Sequence, residues 1–99
     1  MDCSFENDDL EELETDPAFS GGYSAAVVKA FRKRMQQIRA AVDERVFYAL
    51  ASLRFEKLKG KRSHQHSMRL NDQYRLILEI ESSGKAHKIK ILNIEDYHK

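Results

Sequence analysis

Asp96, Tyr97 and His98 stand side by side near the end of the sequence. A carboxylate, a phenol and an imidazole together can give, take and orient protons. An unperturbed imidazole titrates near ~6.5, so His98 can serve as acid or base at neutral pH. Upstream lies a dense basic block: Lys57, Lys59, Lys61 and Arg62 surround Gly60, and Arg69 and Arg75 follow. Guanidinium forks match phosphate oxygens in two-pronged fashion and stabilise charge that builds during phosphoryl chemistry. The two groups point to a site that grips a phosphate backbone and moves protons on it.

Cleavage of RNA by its own 2′-hydroxyl needs these parts. A base takes the hydroxyl proton, an acid protonates the leaving 5′-oxygen, and cations hold the charge on phosphorus. His98 offers acid or base, with Asp96 to orient it. Tyr97 can stack on a nucleobase or donate a hydrogen bond. Arg69 and Arg75 supply the cations. Taken singly, each feature has a plainer reading: a frayed polar tail, or arginines that only solubilise an exposed sheet face. His64 and His66 alternate in an extended segment, but a stable zinc site needs three or four ligands. No Cys or carboxylate cluster completes one, so no metal is expected, and the pair is read as loop residues that touch RNA. Cys3 is the only cysteine, which excludes a disulfide framework.

The positioning elements must come from one domain, since 99 residues support a single core. The net charge of +1 hides an asymmetry. Residues 1–16 form an acidic segment with no Lys or Arg, so all 17 basic residues lie in the remainder. Such a body attracts polyanions. No apolar run approaches the ~18 residues of a membrane span. The acidic start is the reverse of a signal or transit peptide, and a cytoplasmic location is expected.

Asp8 to Glu14 reads as a short helix with Leu10 and Leu13 inward, followed by a loop marked by Asp16-Pro17 and Gly21-Gly22. Ser24 is an N-cap for the next helix. There Val27, Phe31, Met35, Ile38 and Val42 make one apolar stripe at helical period, with Lys29, Arg32, Lys33, Gln36 and Gln37 off it. Asp43 to Leu50 adds a further helical turn or two. From Ser67 the period changes to two. Met68 and Leu70, then Tyr74, Leu76, Leu78 and Ile80, then Lys88 to Ile94, read as three strands. Asn71-Asp72-Gln73 and residues 82–85 are the turns between them. The fold class is therefore α+β, with N-terminal helices packed on one face of a small antiparallel sheet. Preserving the apolar face forces Arg69 and Arg75 onto the opposite face, directly across from each other. Like charges so placed are mildly destabilising, by ~0.2–1 kcal/mol, which makes sense if something anionic sits between them.

The segments Phe55 to Arg62, Ser67 to Leu70, Tyr74 to Leu78 and Glu95 to His98 together resemble the HigB-type toxins of bacterial toxin–antitoxin modules, in the RelE/ParE superfamily. The resemblance covers about residues 23–98. It implies a compact α+β fold and endonucleolytic cleavage of mRNA in the ribosomal A site, without a cofactor. By position, Asp96, Tyr97 and His98 match the family's catalytic motif, Arg69 and Arg75 its basic strand positions, and Lys57 and Lys59 its basic loop. Many relatives place a histidine four residues before the loop glycine. Here that position is Glu56, a carboxylate that can act as a base but also repels phosphate; His64 or His66 is the alternative substitute. The resemblance also implies a small helix-turn-helix antitoxin, through which the pair reaches operator DNA. Two other classes stay open: a ParE-like inhibitor of DNA gyrase, and a non-catalytic RNA-binding module.

Overall fold

A computed structural model describes residues 1–83 and 86–97. In the acidic segment, Asn7 accepts a hydrogen bond from the Leu10 amide (3.0 Å) and starts α1, Asp8–Thr15. The acids of its first turn suit the positive end of the helix dipole. Leu10 and Leu13 are buried, as their spacing predicts. Ser24 caps α2, Ala25–Ala40, by accepting from the Val27 amide. Val27, Phe31, Met35 and Ile38 are buried along one stripe. Val42 departs from the expectation: the helix ends at Ala40 and Val42 is 82% exposed. The Met1 ammonium donates to the carbonyls of Ile38, Arg39 and Ala41 instead, and closes the negative end of α2. A short α3, Arg45–Ala49, buries Phe47.

Five strands follow the order β1-β5-β4-β3-β2. They are β1 (Asp2–Phe5), β2 (Glu56–Lys57), β3 (His66–Arg69), β4 (Tyr74–Ser83) and β5 (Ala86–Asp96). The expected meander is β3-β4-β5, and it is antiparallel. Two strands escape the sequence reading. The two-residue β2 adds an antiparallel edge beside β3. At the other edge β1 pairs parallel with β5, so the sheet is only mostly antiparallel. The acidic segment is thus built into the fold rather than appended to it. Residues 84 and 85 of the second expected turn lie outside the described residues.

The three helices cover one face of the sheet. Phe31, Met35, Ile38 and Phe47 meet Met68, Leu76, Leu78, Ile89 and Ile91 in one core, all fully buried. Each such side chain contributes ~1.5–3 kcal/mol relative to exposure, enough to fix the register. β5 places Ile89, Ile91 and Ile94 in that core, at spacings of two and then three. Strict alternation cannot hold all three inward. A β-bulge resolves the conflict: Ile77 pairs with Asn93 and Leu78 with Ile91, leaving Leu92 as the extra residue. The bulge therefore sets the phase of everything after it.

Candidate active site

The register assembles the site on the sheet face away from the helices. Arg69 pairs with Arg75 across β3 and β4, and Arg75 pairs with Glu95 across β4 and β5. The two arginines are thus directly opposite, as the alternation of Met68 and Leu76 requires. The next row holds Glu56, Ser67, Ile77 and Asn93. Ser67 and Ile77 are both buried, although they face away from the main core.

Arg75 is fixed from several sides. Its Nε donates to Ser67 Oγ at 2.9 Å, and its Nη2 donates to the Arg54 carbonyl at 2.5 Å. Arg54 presents that carbonyl from a left-handed backbone (φ 46°, ψ 48°), a costly conformation for a residue with a β-carbon. Glu56 Oε1 lies 3.8 Å from the same guanidinium, and the Tyr97 ring centroid lies 5.7 Å from its central carbon. That last distance is within cation–π range. Arg69 is held differently. Its guanidinium donates to Asp72, and its carbonyl accepts from Arg34 Nε at 2.7 Å.

The basic loop divides into two parts. Lys57, Lys59 and Lys61 are exposed and make no ion pair among the described residues. Gly60 has a φ of +66°, a left-handed turn that a side chain would strain. Arg62 instead reaches across the sheet face. It donates to both Glu95 oxygens (3.1 and 2.5 Å), while its Nε holds Gln65 Oε1 at 3.0 Å. This strap closes the loop over the face. Arg62, Glu95, Asp96 and Tyr97 line a cleft of about 440 Å³ beside it.

Other sequence-selected residues lie elsewhere. Asp96 pairs with Tyr74, on the helix side of the sheet, where its Oδ2 accepts from Gln73 Nε2 at 3.0 Å. Tyr97 follows on the arginine side, 41% exposed, with its amide on the Gln73 carbonyl. His98 lies outside the described residues. His64 is exposed and 3.5 Å from Glu79. His66 pairs with Leu78 and so points to the helix side, stacked on Phe55 at 5.0 Å between rings. Burial, and then the Lys57 charge, push its pKa below 6.5, with Glu44 acting weakly the other way. His64 and His66 thus face opposite sides of the sheet region. Among the described residues, no group of three or more His, Cys, Asp or Glu is arranged to hold a metal ion.

Ser67, Arg54 and Arg34 were not singled out by sequence. Arg34 had a signal. It lies three residues after Phe31 and four before Ile38, inside the apolar stripe, and it is only 8% exposed. Burial, and then Arg69, push its pKa down. Its partners are the neutral Arg69 carbonyl and Gln37 Oε1 (3.1 Å).

Helices on one side of an open, mostly antiparallel sheet, with a cross-strand arginine pair on the opposite face, define a RelE/YoeB-like α+β fold. Residues 3–98 match the family described as the RelE-like toxin of the type II toxin–antitoxin system HigB. The chain belongs to that HigB-like toxin family. The match takes in most of β1 and all of α1, beyond the 23–98 span of the resemblance. Among solved structures, the chain is similar to a YoeB/ParE toxin from Agrobacterium tumefaciens, with a TM-score of 0.62 and 17% identity over 99% of this chain and 100% of that one. The YoeB dimer structure from Staphylococcus aureus gives 0.54 and 19%, covering 100% and 98%. A conserved hypothetical protein from Helicobacter pylori gives 0.54 and 11%, covering 98% and 94%. No curated protein gives a significant sequence match.

Proposed function

We propose that this toxin is a ribosome-dependent endoribonuclease that cuts mRNA in the A site and arrests translation. One observation carries the reading: Arg75 is pinned on the open sheet face, directly across from Arg69, with the Tyr97 ring against its guanidinium. A site of this kind can hold a phosphate between two forks and a nucleobase on an aromatic face. The reaction needs no atom from outside the RNA. The 2′-oxygen bonds to phosphorus as the bond from phosphorus to the 5′-oxygen breaks. The products are a 2′,3′-cyclic phosphate and a 5′-hydroxyl. Glu56, exposed and next to Arg75, takes the 2′-hydroxyl proton. His98 gives a proton to the leaving oxygen. Arg69 and Arg75 stabilise the extra charge on the phosphoryl oxygens. Lys57, Lys59 and Lys61 hold the flanking phosphates, and Arg62 and His64 belong to the same RNA- and ribosome-facing loop region; His66, in β3 and turned to the helix side, is left out of it.

In this reading residues 1–99 act as one cytoplasmic toxin domain without a cofactor. Its family implies an antitoxin, and we assign that partner the HigA-like helix-turn-helix type that carries the pair to operator DNA. So few acid–base groups leave positioning to the ribosome. Adding the purified protein to a cell-free translation reaction tests the proposal. Loss of full-length mRNA with wild type, and not with Arg69→Ala, is the expected result. Intact mRNA, with inhibition of gyrase supercoiling by the same preparation, would replace it with the ParE-like reading.

A further inference from the structure

We infer that the Asp72 carboxylate is a built-in competitor of the substrate phosphate at Arg69. It occupies the guanidinium until an RNA strand that is already held elsewhere displaces it. The inference deepens the endonuclease reading and rests on it.

Two other arginines flank Arg69. Arg75 stands directly across from it. Arg34 is buried behind it, bonded to its carbonyl, and has no ion pair among the described residues. A buried charge with neutral partners is costly, and here it adds to the positive field around Arg69. Asp72 is the carboxylate that answers Arg69. A carboxylate offers a guanidinium two acceptor oxygens in the same plane, as a phosphate does.

Asp72 is also free to leave. Its side chain is 97% exposed. The turn does not depend on it, because Asn71 Oδ1 closes the loop by accepting from the amides of Gln73 (2.9 Å) and Tyr74 (2.8 Å). An exposed ion pair of this kind is weak and exchanges readily. Its tether makes it an effective rival all the same, since a group three residues away competes at an effective concentration in the millimolar range. Free phosphate and mononucleotides, which gain nothing elsewhere, therefore bind Arg69 a few-fold more weakly. A strand bound at the same time by Lys57, Lys59 and Lys61 delivers its phosphate intramolecularly and wins. Asp72 thus adds the same displacement cost for every anion, and only a strand held elsewhere offsets it.

The test measures binding of a fluorescein-labelled 2′-O-methyl oligonucleotide, which cannot be cut, at low salt. Four proteins are compared: wild type, Asp72→Asn, Arg69→Ala and the double variant. Asp72→Asn is expected to tighten binding by roughly two- to fivefold, the range of one exposed ion pair, and to change nothing once Arg69 is alanine. Wild-type affinity in Asp72→Asn, with weaker binding by Arg69→Ala, overturns the inference and leaves the Arg69 reading standing. Equal tightening in both backgrounds also overturns it, because the effect is then general charge and not local competition. No dependence on Arg69 in any protein removes the phosphate role of Arg69 and the inference with it.

Discussion

Two arginines that look equivalent in the sequence have different duties in the fold. Arg75 bonds to a buried serine and to a strained backbone carbonyl, and its side chain is only 12% exposed. Arg69 is 32% exposed and pairs with an exposed aspartate. Arg69→Ala should therefore change stability by no more than ~1 kcal/mol and lower cleavage ~10²–10³-fold. Arg75→Ala should lose activity to a similar extent and also cost ~1.5–3 kcal/mol, the worth of hydrogen bonds from a charged group. Urea denaturation beside a cleavage assay separates the two; equal stability losses would contradict the assignment. His66 makes a pH prediction. Burial holds its folded pKa below 6.5, so the unfolded chain binds its proton first. Its contribution is fully present above pH 6.5 and is lost as pH falls from there through the lowered folded value. His66→Phe keeps the stack on Phe55 and should flatten that part of the stability curve, measured by denaturation at several pH values. The arginine pair was legible because alternation of apolar residues dictates it. The partners of Arg75 were not, because Ser67, Arg54 and Glu56 come from other parts of the chain, and sequence alone does not show which of them the fold brings to it.

At the scale of elements, the bulge in β5 decides which terminal groups reach the arginines. Ile94 sits inward with Tyr74 and Asp96 beyond it, while Glu95 and Tyr97 turn to the arginine side. Two variants with opposite outcomes test this. Deleting Leu92 removes the unpaired residue and leaves the faces of Ile91, Ile94, Glu95 and Tyr97 unchanged, so folding and cleavage should survive. Inserting an alanine between Ile94 and Glu95 leaves the core in place but swaps the faces of Glu95 and Tyr97. Cleavage should then fall to background while the thermal transition moves little, since the lost Arg62–Glu95 strap is a half-exposed pair. Circular dichroism and the cleavage assay check both. The helices and β3 to β5 were readable from their periods. The bulge left only a trace, the change from two to three in the spacing of Ile89, Ile91 and Ile94. β1 left less: Cys3 and Phe5 alternate with Asp2 and Ser4, too short a run to outweigh the acidic residues after it. Its parallel pairing with β5 joins residues far apart in the chain, a relation that local pattern does not contain.

Over the whole molecule, the acidic N-terminal segment and the basic remainder nearly cancel, yet they are spatially sorted. Glu14 is tied to Arg39 by two short hydrogen bonds between α1 and α2, and Glu6 to Lys90. Lys57, Lys59 and Lys61 keep their charge open to solvent. These three should carry much of the salt dependence of RNA binding. Replacing all three with alanine should reduce the slope of log K against log salt by about 2, at roughly 0.7 per phosphate contact on a single strand. Titrations at several salt concentrations give that slope directly, and an unchanged slope would move the RNA path off the loop. We propose that the sheet face and the terminal residues Tyr97 and His98 cut mRNA on the ribosome. Mapping of 3′ ends on a defined mRNA, with A-site-programmed ribosomes and wild type beside His98→Ala, tests it most directly. Cuts within the A-site codon that vanish in the variant are the expected result. No cuts by either protein would contradict the nuclease, and equal cuts by both would contradict the role of His98.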